Sequence, residues 1–140
     1  MRRSPQIILL TDDPVEALRV ESLLRPHVVF NWVKSLPQLR ALLANGTYDA
    51  LFCQWSYGMQ SWKDALDTVR NITSELPVFV LSKTGGDEEW VEVLDAGAFD
   101  LLVPPYSGSS LLAVVKQFAA AHDTRNRQQQ PPPRLIPFKK

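Results

Sequence analysis

The stretch Tyr48–Gln60, YDALFCQWSYGMQ, decides how the chain is read. Its first half, DALFC, is a short continuous apolar run, which predicts a strand buried on both faces. Strands of this kind in α/β domains often end on an acidic side chain that does chemistry. This one ends on Gln54, a neutral amide, with Trp55 beside it.

Elements of the same sort recur on both sides. Upstream, QIILL (Gln6–Leu10) is a second apolar run that stops at TDDP, where Asp13-Pro14 supplies an N-cap acceptor and a proline for the first helical turn. Val15, Ala17, Leu18, Leu23 and Leu24 then recur near helical spacing. HVVFNWV (His27–Val33) is β-branched and aromatic, and predicts a second strand. Ser35 is placed to cap a helix carrying Leu36, Leu39, Leu42 and Leu43, with Asn45-Gly46 as its C-cap.

Downstream of the Trp55–Ser61 loop, WKDALDTVRNI spaces Ala65, Leu66, Val69 and Ile72 as a third helix, and LPVFVLS reads as a fourth strand. Asp87–Ala96 predicts a helix with Trp90, Val91 and Leu94 inward, closed by Gly97. FDLLV is a fifth strand, Pro104-Pro105 follow it, and Ser107–Ala121 is a last amphipathic helix with Leu111, Leu112, Val115 and Phe118. Five apolar strands alternating with five helices predict a doubly wound parallel sheet covered on both faces, in the order 2-1-3-4-5. The working site of such a sheet lies at the carboxyl ends of its strands.

Composition bounds the rest. The chain has 140 residues, and its hydrophobic content of 45% and charged content of 21% are ordinary for a globular protein. Formal net charge is zero, which gives no push toward nucleic acid or anionic membrane. Cys53, the single cysteine, excludes an internal disulfide and a cysteine-based zinc site. No apolar run reaches the roughly 20 residues of a membrane helix, and MRRSPQIILL runs into acids rather than a cleavage site, so a cytoplasmic protein is expected. We expect a folded body over residues 1–122. Residues 123–140 (DTRNRQQQPPPRLIPFKK) are polar, basic and proline-rich, which predicts a flexible tail.

In this order and spacing, TDDP, YDALFCQW, LPVFVLS, AGAFDLLV and the following proline resemble the receiver domain of two-component response regulators, the CheY-like family, over about residues 6–122. The resemblance implies a flavodoxin-like fold and a role in phosphorelay signal transduction. It also implies a pocket in which an acidic pair holds Mg²⁺ and an aspartate ending the third strand takes a phosphoryl group. A hydroxyl and a lysine contact that group, and an aromatic on the fifth strand reports it.

Carried over by position, Asp12 and Asp13 match the acidic pair, Ser82 the hydroxyl and Pro105 the proline after the fifth strand. Gln54 stands for the phosphoacceptor, Pro104 for the lysine and Leu101 for the switch aromatic. An amide has no anionic oxygen and cannot form an acyl phosphate by the aspartyl route. Proline brings neither charge nor N–H. A degenerate, pseudo-receiver variant is therefore expected: no enzyme, with output through a protein partner or homodimer on the face of the fourth helix, fifth strand and fifth helix.

Alternative readings stand beside this one. Asp12 and Asp13 form a weak Mg²⁺ site, or Asp13 is only a helix cap and Asp12 a solvated relic. Beyond such Mg²⁺ no cofactor is expected. Gln54 makes a signalling contact or simply caps its strand. Lys83 reaches the pocket from the fourth strand or stays in solvent. Trp55, Tyr57, Met59 and Trp62 cover the vacated pocket, pack on the core, or offer a partner an aromatic surface. An active receiver would need another acceptor; Asp49 lies at the wrong end of its strand and Asp64 inside a helix. An α/β enzyme built on Asp12, Asp13 and Ser82 lacks a nucleophile–base pair. Cys53 reads as a small buried apolar residue, and His27 and His122 form no metal or triad spacing. TGGDEEW (Thr84–Trp90) precedes a helix, but Asp87, Glu88 and Glu89 in its first turn disfavour a bound anion.

Overall fold

A computed structural model describes residues 4–73, 75–82, 85–103, 111, 113 and 115. The apolar runs become a parallel five-stranded sheet of β1 (Gln6–Leu10), β2 (Val29–Val33), β3 (Ala50–Gln54), β6 (Val78–Leu81) and β7 (Asp100–Leu102). Its order is β2-β1-β3-β6-β7. This is the expected 2-1-3-4-5 arrangement once a small hairpin, β4 (Ser56–Tyr57) and β5 (Gln60–Ser61), is set aside. That hairpin occupies the segment read from sequence as a plain loop. Gly58, at φ +59°, takes the first turn position that favours glycine.

Alternation along the strands splits the core in two. Ile8, Leu10, Leu51, Cys53, Val78, Val80 and Leu101 face α2 (Leu36–Asn45), α3 (Trp62–Ile72) and α4 (Asp87–Asp95). Ile7, Leu9, Phe52, Phe79 and Leu81 face α1 (Pro14–Leu24), together with Leu111 and Val115. Both layers are fully desolvated over β1 and β3, which is why those strands read as continuous apolar runs. The fifth predicted helix falls mostly outside the described residues; of it, Leu111, Ala113 and Val115 are described and helical. The tail boundary at 122–123 lies outside them as well.

Local chemistry fixes the helix ends. Asp13 caps α1 through Val15 N–H, Ser35 caps α2 through Gln38 N–H, and Ser61 with Asp64 forms a capping box on α3. Gly97, at φ +104°, ends α4 as expected. Gly46 does not act as a left-handed C-cap. Its φ of −168° is extended backbone, and the Asn45 side chain instead donates back to the Ala41 carbonyl at 2.8 Å. The second strand begins at Val29, because Arg25–His27 close a 3₁₀ turn.

Helix phase is where the apolar pattern misled most. On α4 the buried residue is Val93, while Trp90 and Val91 are about half exposed at 46% and 49%. On α1, Val15 and Leu18 face solvent and Ala17, Val20 and Leu24 pack inward. Ile72, at the end of α3, is also exposed.

At the amino ends of the strands, Arg70 of α3 donates to the Leu76 carbonyl at 2.9 Å and to the Gly97 carbonyl at 3.2 Å. Near the start of α3, Lys63 pairs with Glu92 of α4 at 2.6 Å. These two contacts hold α4 against α3.

Candidate functional site at the carboxyl end of the sheet

Register builds the site. Leu10 lies opposite Cys53, so the next residue of each strand, Thr11 and Gln54, fall side by side. Thr11 is fully buried. Its hydroxyl donates to Gln54 Oε1 in a short contact and accepts Asp13 N–H at 3.1 Å, while its carbonyl accepts Trp32 Nε1–H at 2.9 Å. The amide ending β3 is thus tied to the end of β1 by a neutral hydrogen bond.

Thr11 was the residue missed from sequence. Nothing in the TDDP run singles it out, and only the strand pairing places it beside Gln54. The two acids go to separate backbone partners. Asp13 Oδ1 accepts Val15 N–H at 2.9 Å as the α1 cap. Asp12, exposed, accepts Gly58 N–H through Oδ2 at 2.6 Å, joining the end of β1 to the hairpin turn. Among the described residues no cluster of three or more His, Cys, Asp or Glu is placed to hold a metal ion. One oxygen of each of these side chains, Asp12 Oδ2, Asp13 Oδ1 and Gln54 Oε1, accepts a hydrogen bond.

Ser82 follows β6 and is 3% exposed. Strand alternation puts it on the side of Val78 and Val80, toward α4. There its hydroxyl donates to Glu89 Oε1 at 2.9 Å and accepts Gly85 N–H at 3.0 Å. The structure therefore brings Thr11, Asp12, Asp13 and Gln54 to one corner, and turns the Ser82 hydroxyl to the α4 loop. Lys83, Pro104 and Pro105 lie outside the described residues, as does His122. His27 is exposed in its 3₁₀ turn.

Neither substitute acceptor reaches Gln54. Asp49 is 2% exposed at the opposite end of β3, where it accepts Gln6 N–H at 2.8 Å, and Asp64 accepts Ser61 N–H in the α3 capping box. Leu101 packs into the core layer that includes Val93 and Ala98. Tyr57 and Trp62 are also core residues, and Trp55 packs on them with its ring 5.6 Å from that of Trp62. Only Met59 of that group stands wholly in solvent. Burial, reinforced by the Asp64 charge, pushes the Cys53 thiol well above its ordinary 9.0, which marks an inert core thiol.

No protein-family model and no curated protein sequence matches the chain. Many solved structures do match in shape. The receiver domain of the Francisella response regulator 1452 superposes with TM-score 0.75 at 20% identity, over 85% of this chain and 99% of that one. The receiver domain of a putative LuxO repressor protein from Vibrio parahaemolyticus gives 0.78 at 15% identity, over 92% and 100%. The beryllofluoride-activated NtrC4 receiver domain dimer gives 0.74 at 14% identity, over 84% and 98%. Identities this low speak for the backbone and not for the chemistry of the site. The chain has the CheY-like fold of response regulator receiver domains.

Proposed function

We propose that this protein is a receiver-like signalling module that passes information by protein contact, without taking a phosphoryl group on its central strand. The observation that carries this reading is Gln54, an amide at the end of β3 whose oxygen is occupied by Thr11. A phosphoryl acceptor there needs an ionised oxygen, and this position has none. The reading is of a signalling domain of two-component type rather than an enzyme, and it routes no step through Mg²⁺.

The contact surface we propose is the α4–β7 side. Trp90, Phe99 and Val103 are 46%, 49% and 42% exposed there. The Trp90 indole is already fixed, because its Nε1–H donates to Asp100 Oδ1 at 3.0 Å, and the Phe99 ring lies 5.2 Å from that of Phe79, tilted by 48°. Tryptophan anchors held in place before binding lose little entropy on association. That a protein of the same fold is a receiver dimer supports a second copy as one partner. Glu92 is engaged by Lys63 of α3, so Trp90 is the side chain to change.

The test combines intact mass with association. The protein is incubated with acetyl phosphate or beryllofluoride and Mg²⁺, and its mass and oligomeric state are followed. We expect no acid-stable phosphoryl adduct and no change in association. We also expect Trp90→Ala to weaken self-association or partner capture at least about tenfold, the scale of an interface anchor. A stoichiometric adduct, or association indifferent to Trp90, would overturn the proposal.

A further inference from the structure

The opposite flank of α4 carries a second surface, independent of the α4–β7 reading. A groove of about 720 Å³ runs between α4 and the start of α3. Val91 and Ala96 are its apolar lining, and Asp87, Glu88, Glu92 and Asp95 line it as well. Four carboxylates face one ammonium, that of Lys63, which Glu92 already engages.

Asp87 and Glu88 sit in the first turn of α4, where the helix dipole favours them. Asp95 ends the helix, where the dipole favours a cation, and the last turn holds no basic residue. A cationic occupant would supply the charge that this end of α4 lacks.

The chain contains a matching segment. Residues 134–140, RLIPFKK, set Leu135, Ile136 and Phe138 in one apolar block between Arg134 on one side and Lys139 and Lys140 on the other. Val115 packs on the α1 side of the sheet, and about 18 residues separate it from Arg134, enough to span up to ~60 Å when extended. A folded body of this size has a radius of gyration of only ~14 Å. Reach around the sheet edge to α4 is therefore ample.

We propose that residues 134–140 of the same molecule dock in the α3–α4 groove, with the apolar side chains on Val91 and the cations against Glu88, Glu92 and Asp95. A water-soluble carbodiimide, which joins amines to carboxylates in contact, tests this on the intact chain with peptide mapping. The Lys63–Glu92 pair serves as an internal control. We expect links from Lys139 or Lys140 to Glu88, Glu92 or Asp95. Their yield should fall at least about tenfold at molar salt, where screening acts within ~3 Å, and equally in a Glu88→Lys/Asp95→Lys variant whose circular dichroism is unchanged. In a mixture of ¹⁵N-labelled and unlabelled protein, linked peptides should carry a single isotope. The proposal is overturned if the control link forms without tail links, if tail links survive charge reversal, or if they join labelled to unlabelled chains, which would assign the groove to a second copy.

Discussion

Replacing Thr11 with valine keeps the shape of a fully buried side chain and removes one hydroxyl that serves two hydrogen bonds, to Gln54 Oε1 and from Asp13 N–H. Each bond is worth about 1 kcal/mol net. Gln54 and Asp13 are only partly buried, so water replaces some of the loss, and the new methyl returns up to ~0.8 kcal/mol by burial. The expected outcome is a loss of about 1 kcal/mol, or roughly 4 °C in Tm for a body of this size. Urea unfolding of Thr11→Val, Gln54→Met and the double variant measures the part that belongs to the pair. We expect a coupling of about 0.5–1 kcal/mol. If the single effects add within about 0.3 kcal/mol, the hydroxyl does not hold Gln54, and the account of β3 ending in a fixed neutral contact fails.

Gly85 has φ +53°, and a Cβ built there would stand 2.3 Å from Val103 Cγ2, a branched side chain with little room to turn. Gly85→Ala should therefore cost about 1–3 kcal/mol in urea unfolding; a neutral result would mean that this loop is not held as described. Alkaline stability tests the core thiol and phenol. Burial, then the Asp64 charge, raises Cys53 from 9.0, and burial, then Cys53 and Asp64, raises Tyr57 from 10.0. Both groups stay protonated in the fold while the unfolded chain ionises. Stability should thus be intact below about pH 9 and fall above it by up to ~1.4 kcal/mol per pH unit per group. A flat urea midpoint between about pH 8 and pH 10.5, or one unaffected by Cys53→Ala, would contradict this.

The sheet was legible because β1, β3 and β6 are desolvated on both faces, so their composition alone marks them as interior strands. Asp13, Ser35 and Gly97 were legible because a helix end asks for a specific acceptor or a positive φ. Helix phase was harder. Trp90, Val91, Val93 and Leu94 fit more than one apolar stripe, and the choice is made by packing against the sheet, which buries Val93 among Val78, Val80 and Leu101. The hairpin went unread because two-residue strands have no periodicity to detect. At the site, the neutrality of Gln54 was plain from its identity. Its partner was not, since Thr11 acquires meaning only through the β1–β3 register.

The Arg70 guanidinium fastens two carbonyls from separate segments, one entering β6 and one leaving α4. With Lys63 paired to Glu92 farther along, the α4 segment is linked to its neighbour at two points. A binding event that displaced α4 alone would have to unhook both links. A movement that carries α3 and α4 together leaves both contacts intact.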